Sequence, residues 1–141
     1  MEKLESAATR RARERGYDRE PTWYCEFKYT EIDGLGYEEG VHRRDPSSVI
    51  QVDGTYYTWY TRSLGRDVGF GSGDPAAKVW PWDQAEVWYA TSADGRHWEE
   101  RGTAVGRGTP GRYDDRSVFT PEVLAHDGRY YLVYQAVQAP Y

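Results

Sequence analysis

The pattern of hydrophobic positions changes near Pro21. Before that residue, Glu2–Gly16 is rich in Ala, Glu and Arg and has no internal Gly or Pro. Leu4, Ala8 and Ala12 recur at every fourth position within it. This spacing predicts a helix that ends at its glycine, with an apolar face so thin that the helix should dock on another surface. After Pro21, short runs of β-forming residues alternate with Gly and Asp turns, which predicts strands to the end of the chain.

The strand-rich part contains an internal repeat. The two copies are DPSSVIQVDGTYYTWYTR, from Asp45, and TPEVLAHDGRYYLVYQAV, from Thr120, with one residue of slip before the turn. Each copy has an Asp-Gly pair between β runs, which predicts a two-residue hairpin because such turns need the positive φ that Gly supplies freely. Between the copies, EVWYATSADGRHWEERG predicts a strand, a turn at Asp94-Gly95 and a further strand. One repeat is therefore a unit of about four antiparallel strands.

Repeated four-stranded units are typical of a β-propeller. The first blade is predicted from about Asp45 to Gly102, and the second from about Phe119. A propeller of ~4 to 8 blades cannot close with so few strands, so we expect the N-terminal piece of a longer protein. The predicted fold class is mainly β, with a helical segment over residues 1–20 and a partial propeller over residues 21–141. A small β-sandwich or an open meander, complete in itself, is the alternative.

Composition and charge exclude several classes of partner. The formal charge is −5, and the 18 basic and 23 acidic residues are spread along the chain without a basic stripe, which argues against nucleic acid. No apolar run approaches the ~20 residues of a membrane span, and the N-terminus lacks the apolar region of a secretory signal. We therefore predict no membrane contact and a cytoplasmic location, or a periplasmic one if the true N-terminus lies upstream. Cys25 is alone, forms no intrachain disulfide and is expected to be a buried small hydrophobe.

Asp45 is the strongest candidate for chemistry. Pro46 should restrict the backbone of Asp45 to an extended conformation and place its carboxylate at the start of an innermost strand, facing a propeller channel. Arg43 and Arg44 precede it and would favour the ionised form that a base needs. The alternative is a turn residue that hydrogen-bonds its own backbone.

Candidate ligand contacts come from the second copy and from a tryptophan pair. Thr120 takes the place of Asp45 in the second copy, and Glu122 follows it, so both should line the same pocket. A salt bridge to an arginine is the simpler expectation for Glu122. Gln135 is either a hydrogen-bonding partner for a polyhydroxylated ligand or an ordinary strand-edge residue. Trp82, next to Trp80, indicates carbohydrate stacking, although packing as a hydrophobic plug fits equally well.

Other motifs carry less chemistry. The acidic pair Asp114 and Asp115 lies in a predicted loop and is expected to be solvated. The three histidines have no ligand spacing, so we predict no metal site and no cofactor. The sequence does not decide whether a divalent cation binds near the pocket. SADGRHW, over Ser92–Trp98, looks like a shortened form of the Asp-box turn of sialidase propellers, for which we expect a structural role.

Together these motifs resemble those of the five-bladed β-propeller glycosidases, which include the arabinofuranosidases and xylosidases of glycoside hydrolase family 43. Two details narrow the resemblance. One is RRDPS at Arg43–Ser47 with TPEV at Thr120–Val123; the other is Ser6, Ala8 and Arg11 in the pattern Ser-x-Ala-x-x-Arg. Both are similar to the α-1,3-(3,6-anhydro)-L-galactosidases, or neoagarobiose hydrolases, of family 117. The resemblance covers nearly the whole chain, but only the first third or so of such an enzyme.

The resemblance implies an inverting hydrolysis that releases 3,6-anhydro-L-galactose from the non-reducing end of agar oligosaccharides. Inversion needs a general base and a general acid whose carboxyl groups are ~6.5 to 9.5 Å apart. By resemblance Asp45 is the base, Thr120 and Gln135 contact the sugar, and Trp82 walls the pocket. The acid and a second acidic residue would lie on later blades, so this chain alone is expected to be inactive.

The resemblance also implies a homodimer that forms through the N-terminal helix with Ser6, Ala8 and Arg11. Two other functions stay open. A family 43-like enzyme acting on arabinose- or xylose-containing polymers would share Asp45 but leaves the helix motif unexplained. A non-catalytic carbohydrate-binding or assembly module would keep Asp45 only as a turn residue.

Overall fold

The computed structural model describes residues 31–140, and over this range the mainly-β prediction is confirmed. The strands are β1 (Val41–Arg44), β2 (Ile50–Val52), β3 (Thr55–Leu64), β4 (Glu86–Ser92), β5 (Glu99–Val105), β6 (Ser117–His126) and β7 (Arg129–Val137), with a short 3-10 helix at Phe70–Ser72. The predicted helix over residues 2–16 and the segment around Cys25 lie outside the described residues.

The strands form two antiparallel sheets. In the first sheet β3 is flanked by β4, which pairs with β5, and on its other edge by both β1 and β2. The second sheet is the β6–β7 hairpin, and β6 lies against β3 and β4 of the first. Within residues 31–140 the sheets stay open, so closure into a propeller remains a prediction.

The two predicted Asp-Gly hairpins are confirmed. Val52 pairs with Thr55 across Asp53-Gly54, and the β6–β7 turn at residues 127–128 is built in the same way. In each turn the Asp has φ 48°, and the Gly has φ 81° in the first turn and 68° in the second. Positive φ at both central residues matches the right-handed twist of the strands on either side, so each turn sets its hairpin register.

The Asp94-Gly95 turn holds its own backbone and places Trp98 in the core. Asp94 Oδ1 accepts N–H groups from the second and third residues after it, at 2.8 and 2.9 Å. Ser92 Oγ accepts the N–H groups of Asp94 and Gly95, and the indole of Trp98 donates to the Gly95 carbonyl at 3.1 Å. Trp98 is 7% exposed and packs with Tyr60. The turn is therefore a structural element of the first sheet.

Side chains alternate along β3 and divide the first sheet into two faces. We call the face that carries Tyr60 and Arg62 the Tyr60 face, and the face that carries Thr61 the Thr61 face. Arg43 pairs with Arg62 and therefore lies on the Tyr60 face, whereas Arg44 pairs with Thr61 and lies on the opposite one. Two adjacent arginines of the sequence are thus separated by the sheet.

The prediction that Asp45 opens a strand in an extended conformation is wrong. Asp45 follows β1, and its φ is 50°. Pairing stops at Arg44↔Thr61 and resumes at Ile50↔Tyr57, so residues 45–49 of one strand face residues 58–60 of the other. This bulge, rather than the preference of a residue before proline, decides the backbone. Asp is among the few residue types that tolerate the left-handed region.

The second copy has a bulge at the equivalent place. Phe119 pairs with Gln135 and Glu122 pairs with Val133, so residues 120 and 121 face residue 134 alone. Thr120 has φ 48°, which for a β-branched residue costs on the order of 1–3 kcal/mol. The first bulge contains two extra residues and the second contains one. This difference is the one-residue slip between the two copies of the sequence repeat.

Candidate functional site

The Thr61 hydroxyl joins the two X-Pro positions of the repeat. Asp45 Oδ2 lies 3.5 Å from Thr61 Oγ1, and the backbone N–H of Thr120 donates to the same Oγ1 at 2.8 Å. Thr61 is 1% exposed, so its hydroxyl is shielded from water by the two sheets. Asp45 and Thr120, 75 residues apart in sequence, therefore meet at one buried hydroxyl.

The bulge turns the Asp45 carboxylate toward the Thr61 face. In an uninterrupted strand, Asp45 would point to the same face as Arg43. A bulge re-aims side chains, and here the Asp45 carboxylate reaches Thr61 instead. The interruption of β1 and β2 is thus the local cause of the Asp45–Thr61 contact.

The expectation that Arg43 supports the charge of Asp45 is wrong. On the Tyr60 face, Arg43 donates from Nε and Nη2 to the two carboxylate oxygens of Glu100, at 2.9 and 3.0 Å. These bonds hold the pKa of Glu100 below its usual value. The hydroxyl of Tyr60 donates to Glu100 at 2.7 Å, and burial together with this carboxylate raises the pKa of Tyr60. Arg43 therefore belongs to a structural ion-pair cluster on the other side of the sheet.

Arg44 connects the Asp45 bulge to the predicted pocket wall. Its guanidinium carbon lies 5.4 Å from the centre of the Trp82 ring, within the range of a cation–π contact. Trp82 stacks on Trp80 with ring centres 5.4 Å apart and planes 12° apart. The Ser117 hydroxyl donates to the Trp82 carbonyl at 2.6 Å. Trp82 is only half-buried, so its ring is held in place without being sealed in the core.

A buried ion pair anchors the long loop that carries Trp82. Asp83 is 0% and Arg116 is 7% exposed, and Nε and Nη2 of the guanidinium each lie 2.6 Å from a carboxylate oxygen. Arg116 also donates to the carbonyls of Pro75 and Ala77 at 2.9 and 2.8 Å. Asp83 in addition accepts the N–H of Val79 at 2.7 Å. The loop is therefore fixed to the start of β6, beside the second sheet.

Glu122 binds backbone amides, so the expectation of a salt bridge to an arginine is wrong. Its Oε1 accepts the N–H of Val123 at 2.9 Å and that of Ser48 at 3.0 Å. These N–H groups lower the pKa of the exposed Glu122 carboxyl. Because Ser48 lies in the Asp45 bulge, Glu122 forms a second link between the two sheets. Because backbone N–H groups carry no net charge, Glu122 keeps its negative charge.

Gln135 occupies in β7 the position that Thr61 occupies in β3. Each lies eight residues after the Asp of its hairpin turn, and each pairs with the last residue before a bulge, Arg44 or Phe119. The Gln135 side chain is exposed and could offer a donor and an acceptor to a ligand. Because its partner Phe119 directly precedes Thr120, Gln135 lies one ladder position from Thr120.

The cavity next to this bulge lies on the other face of the sheet. Arg43 and Pro46 line it together with Thr58 and Tyr60, and its volume is about 180 Å³. Ligand pockets usually measure roughly 300–1,000 Å³. A sugar site at Asp45 would therefore need walls beyond those that this cavity provides.

Within residues 31–140 there is no cluster of three His, Cys, Asp or Glu side chains that could hold a metal ion. Over the same range, the structure contains no helix of the length and apolarity needed to cross a membrane.

Asp115 of the acidic loop pair accepts the N–H groups of Gly111 and Ala139 at 2.6 and 2.7 Å. Its carboxylate therefore fixes the loop geometry.

Comparison with solved structures identifies a relative. The chain is 40% identical to Zg3597, a family 117 glycoside hydrolase produced by the marine bacterium Zobellia galactanivorans, with a TM-score of 0.71. The chain is a relative of the family 117 glycoside hydrolases. The match covers 81% of this chain and 36% of Zg3597, so the family resemblance predicted from sequence is confirmed. The chain matches no sequence model of a protein family and no curated protein.

In this family 117 relative, the predicted site residues lie around two links between the sheets. Asp45 and Thr120 meet at Thr61, Glu122 reaches the Asp45 bulge at Ser48, and Trp82 is connected through Arg44. Their roles in binding or catalysis stay predictions. The predicted dimer residues of the N-terminal helix lie outside the described residues.

The sequence of this chain did not lead to Thr61 as a candidate site residue. Its residue type is ordinary for a strand, and neither charge nor motif marks it. The signal that could have revealed it is the repeat, because Thr61 in the first copy aligns with Gln135 in the second. The aligned copies put both residues eight positions after the Asp of the turn, so the choice of Gln135 as a candidate also pointed to Thr61.

Proposed function

We propose that this chain is part of a glycoside hydrolase that releases 3,6-anhydro-L-galactose from the non-reducing end of neoagaro-oligosaccharides with inversion of configuration. The observation that carries the proposal is the 40% identity to a family 117 glycoside hydrolase. That similarity supports a glycosidase as the full-length protein. The chain spans 36% of the relative's length, so the complete activity is assigned to the full-length protein and not to these residues alone.

In this proposal Asp45 is the general base. Its carboxylate removes a proton from water while the water oxygen forms a bond to the anomeric carbon. The glycosidic bond breaks at the same time, and a general acid protonates the leaving oxygen. That acid would lie outside this chain. The bulge supports this assignment because it turns Asp45 away from the ion pairs of the Tyr60 face and toward Thr61, which also binds the second sheet.

The other predicted residues have roles that fit their chemistry. The half-buried ring of Trp82 would stack on a C–H face of the sugar. Thr120 and Gln135 would form hydrogen bonds to hydroxyl groups, and the charged Glu122 would accept from another. No step of this reaction requires a cofactor.

The test is to express the full-length protein and to measure 3,6-anhydro-L-galactose release from neoagarobiose. We expect Asp45→Asn to abolish turnover while sugar binding remains, because the amide cannot accept the proton from water. Asp53→Asn is the matched control. It makes the same chemical change in an exposed hairpin turn where Asn-Gly is equally favourable, and its turnover should equal that of the wild type.

The alternatives are outcomes of the same experiment. Turnover of arabinosides or xylosides instead of neoagarobiose would indicate a family 43-like specificity. Binding of oligosaccharide without turnover of any sugar would indicate a carbohydrate-binding module. Turnover that survives in Asp45→Asn would contradict the assignment of the base.

We also propose that the full-length protein is a homodimer that uses the N-terminal helix with Ser6, Ala8 and Arg11. This proposal is supported by the resemblance of Ser-x-Ala-x-x-Arg to the family pattern. Sedimentation of the full-length protein with and without residues 1–20 tests it, since truncation should yield a monomer.

A further inference from the structure

We infer that Thr61 is a positioning residue, which orients the Asp45 carboxylate so that it can take a proton from the attacking water. This inference rests on the proposed function. Thr61 does not touch the reacting atoms. It acts through Asp45 by a hydrogen bond within the sheet. The argument depends on where the single hydroxyl proton of Thr61 can go.

The Thr120 amide determines the direction of the Thr61 hydroxyl. Because the Thr120 N–H donates to Thr61 Oγ1 at 2.8 Å, one lone pair of Oγ1 is occupied and its own proton must point elsewhere. Asp45 Oδ2, at 3.5 Å, is an acceptor. Thr61 is thereby a donor to Asp45, and the backbone of the second sheet sets that role.

The hydroxyl also leaves the carboxylate available for chemistry. Thr61 engages Oδ2 of Asp45, and a carboxylate has further acceptor sites on both oxygens, so this bond leaves the carboxylate able to receive the proton of water. The separation of 3.5 Å is longer than the roughly 2.7 Å of a tight O–H···O bond. Catalytic hydrogen bonds are often long without substrate and tighten in the substrate complex. We therefore expect the Thr61 bond to shorten when the sugar binds.

Burial makes Thr61 a rigid support. Thr61 is 1% exposed, and its β-branched side chain has few rotamers available. It lies between two backbone positions with positive φ, Asp45 at 50° and Thr120 at 48°. Both bulges are therefore tied to one immobile oxygen, which is the arrangement that an oriented carboxylate needs.

The test compares two Thr→Val substitutions on β3 of the full-length protein. Thr61→Val removes the donor to Asp45 and the acceptor of the Thr120 amide, whereas Thr61→Ser keeps both. Thr58→Val is the matched control, because the Thr58 hydroxyl is buried on the opposite face and has no hydrogen-bond partner within residues 31–140. Each variant is assayed on neoagarobiose for kcat and KM.

We expect Thr61→Val to lower kcat about 10-fold, less than the roughly 100-fold that a misplacement of ~1 Å can cost, with KM within about 2-fold of wild type. Thr61→Ser should recover most of kcat, and Thr58→Val should match wild type. A Thr61→Val variant with unchanged kcat, or with a raised KM alone, would overturn the inference. If Thr61→Val does not fold, Thr61→Cys, whose thiol is a weak donor, replaces it with the same expectations.

The two proposals fail in different ways. If Asp45→Asn keeps wild-type turnover, Asp45 is not the general base and the inference falls with that assignment. If Asp45→Asn is inactive while Thr61→Val and Thr61→Cys turn over like the wild type, the proposed function stands and only the role of Thr61 is wrong. A wild-type protein without turnover on any of the sugars would overturn both.

Discussion

Replacing Asp83 with Asn should destabilise the protein by about 3–5 kcal/mol, the usual cost of removing one partner of a buried ion pair. Asp83 is fully buried and meets Arg116 through two bonds of 2.6 Å. In the variant the guanidinium keeps the carbonyls of Pro75 and Ala77 as acceptors, so we expect the lower end, about 3 kcal/mol.

The stability difference between wild type and Asp83→Asn should also depend on pH. Burial opposes ionisation of Asp83, but the hydrogen bonds from Arg116 and the Val79 amide outweigh it and lower the pKa. A carboxyl whose folded pKa is depressed contributes stability above the unfolded value of 3.8 and loses it as the pH falls through the folded pKa. The difference in unfolding free energy between wild type and Asp83→Asn should therefore narrow below about pH 4.

The assay is urea unfolding of the full-length protein, followed by tryptophan fluorescence at about pH 7 and about pH 3.5. Glu99→Gln is the matched control, because Glu99 pairs with Arg101 at 2.8 Å with side chains that are 69% and 48% exposed. Such surface pairs contribute little, so this variant should unfold like the wild type. If Asp83→Asn at pH 7 lies within about 1 kcal/mol of wild type, the ion pair does not anchor the loop.

Two further predictions concern single side chains. Thr58→Val should stabilise the protein by about 1 kcal/mol, because it removes a buried hydroxyl without a hydrogen-bond partner among residues 31–140; a lower Tm would contradict this. The hydrogen bond and charge of Asp94 raise the pKa of His97, so His97 contributes stability that is complete below the unfolded value of 6.5 and disappears as the pH rises through the folded pKa. His97→Gln should therefore lower Tm more at about pH 5.5 than at about pH 9, and equal losses at both would refute the reasoning.

The turns of this chain could be predicted from sequence because their chemistry is local. Asp53-Gly54 and the equivalent pair in the second copy form two-residue hairpins wherever they occur between β runs. The direction of the Asp45 side chain could not be predicted in the same way. It depends on a bulge that shows in the sequence only as a one-residue slip between two copies.

Contacts distant in sequence were also beyond prediction. Asp83 and Arg116 are 33 residues apart, and neither is marked by a motif. The same applies to Glu122, whose partners are backbone amides that every residue but proline carries. The many arginines of the sequence therefore favoured an arginine as the partner of Glu122. In the structure the partner is the backbone N–H of Ser48 in the Asp45 bulge.

The paired X-Pro bulges separate the backbone that builds a position from the side chain that fills it. In both copies the residue before proline adopts a left-handed φ, yet one copy has a carboxylate at Asp45 and the other a hydroxyl at Thr120. The register of each hairpin is set by its Asp-Gly turn and not by this side chain. A duplicated hairpin thus supplies two equivalent places whose side chains can diverge independently, and a change of ligand preference at either place leaves the architecture intact.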